Sequence, residues 1–153
     1  MKKYGKRFML GWIFSSILMF GFSYLWHGVV LNDYSTINYP LGVYLVSAGI
    51  VYLVIGFLLN RIFIAEFIDR FSQKPMARGL LSGLALGVVV YMVALVVGVT
   101  FTKGLDIKYL LLDVCWQAIE QAVGGLVVGV VYMTVFEFIP QPLEEEEEDK
   151  LRK

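Results

Sequence analysis

Charge is scarce in this sequence. Asp, Glu, Lys and Arg make up 17% of its 153 residues, against roughly 25% in an ordinary soluble domain. A water-exposed surface cannot be covered with so few charged groups, and the mean hydropathy of +0.71 agrees. The soluble globular, disordered, fibrous and disulfide-scaffold classes are thereby excluded. Cysteine occurs once, as Cys115, so no disulfide can close within the chain. Histidine also occurs once, as His27, so one chain cannot supply bis-histidine haem ligation or a zinc site of several His and Cys ligands. Neither charge sign is in excess, with 13 Lys and Arg against 13 Asp and Glu, and nothing favours a nucleic-acid partner. No glycine loop is spaced to cradle a phosphate, and nothing fixes Cys115 and His27 as nucleophile and base. The residues therefore point to no catalytic set, no metal site and no cofactor, and lean against an enzyme.

Long apolar runs are what the sequence has instead, with 58% of its residues hydrophobic. Phe8–Leu31, Leu41–Leu59, Gly79–Thr102 and Val114–Phe136 hold a single charged residue between them, Glu120, and Ile62–Ala65 prolongs the second run. A helix rises about 1.5 Å per residue, so about 20 residues cross a hydrocarbon core of about 30 Å. The runs do not alternate, which rejects a β-barrel. The sequence thus predicts an all-α integral membrane protein with four transmembrane helices over about 8–31, 41–64, 79–102 and 114–136, packed as two hairpins. The first run is too long for a signal-peptide core and ends on no small-x-small cleavage site, so it reads as a retained helix.

Positive charge sets the expected orientation. Lys2, Lys3, Lys6 and Arg7 precede the first run, Arg61, Arg70, Lys74 and Arg78 join the second and third, and Lys150, Arg152 and Lys153 follow the fourth. That places eleven on one side and two, Lys103 and Lys108, on the other. The positive-inside rule then puts both termini in the cytoplasm of a cell membrane. Tyr24, Trp26, Tyr34, Tyr39, Tyr44, Tyr109 and Trp116 would form the outer aromatic belt, and Tyr4, Trp12, Phe63, Phe67 and Phe136 the inner one. Ile64, Phe67, Ile68 and Phe71 fall at helical spacing in the second connection, which predicts an amphipathic turn on the inner surface, ended near Pro75. One membrane domain over 1–139 is expected, followed by a tail over 140–153. Its six consecutive acids, Glu144–Asp149, should keep it disordered.

Glycine spacing suggests how the helices approach. Gly79, Gly83 and Gly87 form a GxxxGxxxG stripe, and Gly125 and Gly129 form GxxxG on the last helix. Such stripes let backbones come close in lipid. Gly21 and Gly28, and Gly42, Gly49 and Gly56, recur at seven, a spacing that suits a left-handed crossing of the first two helices.

One polar constellation stands out. Asp113, Gln117 and Glu120 share a helical stripe with Gly124, and Gln121 continues the adjacent stripe to Gly125. A carboxylate facing lipid costs on the order of 2–3 kcal/mol, so Glu120 should face the bundle. His27 lies about as far from the outer end of the first helix as Glu120 from that of the last. The two could meet at one level and pass a proton. Two functions fit. The first is a structural or accessory subunit acting through helix–helix contacts, within a homo-oligomer or a larger membrane complex. The second is a small proton- or ion-coupled transporter or channel using Glu120, Gln117, Gln121 and His27. Beyond these, the lipid bilayer is the one partner that composition requires.

Overall fold

The computed structural model describes residues 5–36, 38–101 and 107–135. The acidic tail and most of the Lys103–Lys108 loop lie outside them. Among the described residues all regular structure is helical. Helix α1 (Lys6–Ser23) widens into a π-helical segment (Tyr24–Val30), and a 3-10 turn follows (Asp33–Thr36). Helices α2 (Leu41–Phe63), α3 (Glu66–Asp69), α4 (Pro75–Phe101) and α5 (Ile107–Thr134) complete the order.

Four helical stretches are long and apolar enough to cross a membrane: Lys6–Val30, Leu41–Phe63, Pro75–Val97 and Leu110–Thr134. Their boundaries depart from the apolar runs for identifiable reasons. Helix α4 begins at Pro75 rather than Gly79, because proline is favourable at a first helical position, where its missing N–H is no loss. Helix α2 continues through Asn60 to Phe63. The Asn60 Nδ2 donates to the Gly56 carbonyl one turn back, at 2.9 Å, so this polar side chain sits inside the helix. Helix α5 starts at Ile107, seven residues before the apolar run. The amphipathic turn shrinks to α3, where Ile68 is buried while Ile64, Phe67 and Phe71 are exposed.

Two arginines close one end of the bundle. Arg7 Nε donates to the Val135 carbonyl at 2.6 Å, just past the end of α5. Arg78 Nε donates to the Phe63 carbonyl and its Nη2 to that of Ala65 at 3.1 Å, at the end of α2. Each cation satisfies terminal carbonyls and meets the negative end of a helix dipole.

Helix α5 is the hub. Its closest partner is α4, and α1 packs against both α5 and α2. The α4–α5 contact runs in antiparallel register at steps of four. A Cβ added at Gly79 would meet the Gly125 carbonyl oxygen, one at Gly83 the Gln121 carbonyl, one at Gly87 the Gln117 carbonyl, and one at Gly129 the Pro75 carbonyl. Backbone therefore lies on backbone along the whole stripe. The heptad glycines of α1 and α2 behave differently. Gly56 lies against Ser16, but a Cβ added at Gly21, Gly42 or Gly49 would meet nothing from another element within 4 Å. A seven-residue period shows that residues share a face, not that another helix covers it.

The interior is an apolar cluster of Met19, Ile55, Leu59, Phe63, Leu86 and Val128. Met19 enters it over Gly124, where any Cβ would strike its sulfur. Among the described residues Ser15, Ser16, Asn60, Ser82, Glu120 and Gln121 are also fully buried. The outward surface is apolar, with Ile17, Val46, Val96 and Leu112 all more than 60% exposed. The polar groups inside and the apolar groups outside are the reverse of a water-soluble bundle.

Candidate functional site

The site forms where α1 changes pitch. Through Tyr24–Val30 the backbone bonds span five residues, and the segment ends as Leu31 N–H donates to the Trp26 carbonyl at 2.9 Å. π-Helical turns are often found at functional sites. Asn32 follows with φ of 55°, a left-handed conformation that asparagine tolerates and that stops the helix. The 3-10 turn then folds back onto the π segment. Asp33 Oδ2 comes to 2.8 Å from His27 Nδ1. Tyr34 lies so close over Gly28 that a Cβ there would be 2.6 Å from its ring. The Tyr34 ring also packs on Tyr24 and Tyr44, with centroids at 5.7 and 5.4 Å. Partial burial raises the Tyr34 hydroxyl above its ordinary range, helped by the Tyr44 and Tyr24 hydroxyls, so it stays a neutral donor.

On the other side of the π segment, Trp26 stacks on Trp116 of α5, with centroids 4.0 Å apart and planes 14° from parallel. The tryptophans expected to anchor separately in a belt thus hold α1 to α5. One turn beyond Trp116 lies Glu120, with 1% of its surface exposed. Gln121 Nε2 donates to Glu120 Oε1 at 3.4 Å. The Tyr52 side chain lies near both Ser23 and the Glu120 carboxyl, within electrostatic reach of the acid, in a short polar relay. His27 is within electrostatic reach of the same carboxyl, and the Trp116 indole faces it. Even so, Glu120 Oε2, Gln121 Oε1 and Trp116 Nε1 are buried with no hydrogen-bond partner of normal geometry among the described residues. Each such orphan costs about 1–3 kcal/mol.

A cavity of about 410 Å³ opens beside this relay. It runs from Tyr34, Tyr44 and His27 near the chain reversal down to Tyr52, Ile55 and Gln117, with Ser23 and Ser47 on its walls. That volume suits a small molecule rather than a bare ion. Among the described residues no Lys or Arg lines it. Toward the arginine-capped end the apolar cluster around Met19, Leu59 and Val128 closes the bundle, beginning one turn past Glu120 at Gly124.

Of the residues singled out in the sequence, the structure brings His27, Gln117, Glu120 and Gln121 to this region and leaves Asp113 exposed near the start of α5. Gly79, Gly83, Gly87, Gly125 and Gly129 lie in the α4–α5 contact. Sequence reasoning missed Tyr52, Ser23 and Ser47. A tyrosine or serine inside an apolar run is common, and only the fold shows that these line the same cavity as His27. The described residues hold no cluster of three or more His, Cys, Asp or Glu that could bind a metal.

Fold and site together define a small helical bundle with an apolar exterior and a largely apolar pocket beside one buried carboxylate. No protein-family model matches the chain, and no curated protein or solved structure matches it.

Proposed function

We propose that the chain is a multi-pass membrane protein, two hairpins with both termini in the cytoplasm, which binds a small solute in the Tyr52–Gln117 cavity and couples that binding to a proton on Glu120. The observation that carries this reading is Glu120, fully buried with Oε2 unpartnered, beside the cavity-lining Tyr52. A carboxylate so far from water must hold a proton or meet a cation. The apolar exterior supports membrane insertion, and the eleven-to-two distribution of Lys and Arg supports the orientation. In that orientation the cavity faces away from the cytoplasm, and the Met19–Leu59–Val128 cluster is the inner plug.

A structural subunit is the second reading. Its specific support is the stretch of α2 that leaves Gly42 and Gly49 open, a face that another helix can cover. The α4 and α5 glycines do not serve it, because they are used within the chain.

Sidedness tests the first reading without knowing the solute. In a Cys115→Ser background, Ser47→Cys should react with a membrane-impermeant maleimide from the non-cytoplasmic face only. Ser82→Cys, fully buried, should not react from either face. Labelling of Ser47→Cys from the cytoplasmic face overturns the arrangement.

A further inference from the structure

The cavity walls and the buried acid have a shared chemical preference. The lining carries three tyrosines, Tyr34, Tyr44 and Tyr52, and also Phe20. Aromatic faces attract cations, most strongly where water is excluded. Among the described residues neither Lys nor Arg lines the cavity, so the described wall supplies no permanent positive charge. The one basic group there is His27, whose Nδ1 is 2.8 Å from Asp33 Oδ2. Glu120 lies behind Tyr52, buried, with an unpartnered oxygen. An anion would meet four aromatic faces with a carboxyl behind them, whereas a cation can stand in for the proton that a buried carboxyl otherwise holds.

The geometry points to a small organic ammonium ion as the ligand, seated among Tyr44, Tyr52 and Gln117 with the Glu120 carboxylate as counter-charge. This rests on the outward-facing cavity proposed above and names its ligand class. A bare alkali or alkaline-earth ion suits the site poorly. Such ions want six or more oxygen ligands in a tight shell, whereas this wall is mostly ring, methyl and methylene surface around about 410 Å³. A primary ammonium can donate to the Tyr52 oxygen and the Gln117 amide while its hydrocarbon body covers Val51, Ile55 and Val90. The Tyr52 hydroxyl keeps its own hydrogen for Glu120. Binding and protonation then compete for one carboxylate: when the ammonium enters, Glu120 gives up its proton to solvent, and when it leaves the proton returns.

Calorimetric titration of the detergent-solubilised protein tests this with isobutylammonium chloride, isobutanol and sodium chloride. The ammonium should bind saturably, release a proton seen as a buffer-dependent heat, and protect Ser47→Cys from the maleimide. Isobutanol and sodium should do none of these. Glu120→Gln and Tyr44→Leu should each raise the ammonium Kd about tenfold or more, roughly the loss of one desolvated charge or cation–ring contact. Tyr52→Phe keeps the ring but removes an acceptor, and should weaken binding while proton release persists, because Glu120 is still present. Equal binding of isobutanol, or an unchanged Kd in a folded Glu120→Gln variant, overturns the assignment. If the ammonium does not bind while Ser47→Cys still labels from the non-cytoplasmic face, the ligand class is wrong and the cavity reading stands. If both results fail, both readings fall.

Discussion

Gly79 and Gly125 each occupy the space that the other's side chain would need. A Cβ on either would strike the carbonyl oxygen of its partner. The α4–α5 contact is consequently as close as two helices can come, and its stability rests on van der Waals contact along the backbone rather than on side-chain interdigitation.

The middle of that stripe gives the first prediction. Gly83 faces the Gln121 carbonyl, one residue from the buried acid. Gly83→Leu should separate the helices, at a cost of about 3 kcal/mol or more, since overpacking a tight contact has nowhere to relax. Leu84, 37% exposed on the other face, should tolerate Ile with little change. Thermal unfolding in detergent reads both. Equal stability of Gly83→Leu and Leu84→Ile would mean that the two helices do not touch there.

The arginine caps give the second. Arg78 bonds the carbonyls of Phe63, the last residue of α2, and of Ala65 beyond it, and its guanidinium lies 5.1 Å from the Phe63 ring centre. Arg78→Ala should cost about 1–3 kcal/mol, the worth of charged hydrogen bonds plus a dipole contact. Arg78→Lys should recover only part of this, because one ammonium cannot reproduce the planar fork. Thermal unfolding of the pair, compared with Lys74→Ala as a surface control, checks the order wild type, then Lys, then Ala.

How much of this could be read from the sequence depended on whether a residue's meaning was local. The four helices could be, because an apolar run long enough to span a bilayer has few alternatives. Glu120 could be, as the one charge in those runs. The Gly79–Gly83–Gly87 spacing showed a shared face, and so did Gly42 and Gly49, yet only the first face is covered. Periodicity is a property of one helix, and coverage belongs to two. Asp113 shares Glu120's stripe but sits two turns nearer the helix start, where it is exposed. Asn60 interrupts the apolar run of the second span, and its bond to the Gly56 carbonyl shows how the helix carries it inward. The pairing of His27 with Asp33 and of Gly28 with Tyr34, each six residues apart, depends on the π turn and the left-handed Asn32, which no local pattern announces.

That reversal gives the third prediction. Gly28→Ala would place a methyl against the Tyr34 ring and push the 3-10 turn off the π segment. Tyr34 should then leave the mouth of the cavity, and Asp33 should part from His27. The expected cost is modest, about 1–3 kcal/mol for an overpacked contact, because the turn can swing toward solvent. Ser47→Cys should become more reactive to the impermeant maleimide in this variant. Unchanged reactivity would show that Tyr34 does not cover the entrance.

The last prediction separates the roles of Glu120. Its carboxyl takes a hydrogen bond from Gln121 Nε2 and lies near Tyr52, while Oε2 and the Trp116 indole are left without partners. If the residue only ties helices together, Glu120→Gln keeps a carbonyl acceptor for Tyr52 and stability should hold to within about 1 kcal/mol, the net worth of one hydrogen bond. If it also exchanges a proton, the same variant should lose the protonated-carboxyl infrared band that responds to isobutylammonium, with no change in unfolding temperature. Glu120→Leu removes the acceptor and strands the Tyr52 hydroxyl, so its effect on stability reports the structural role alone. A large loss in Leu with a silent Gln describes a hydrogen-bonding strut. A stable Gln that no longer answers the ammonium describes an exchange site. A Leu variant more stable than wild type, with the ammonium response intact, would remove Glu120 from both accounts, because the desolvation of the acid would then be a cost carried for neither packing nor binding.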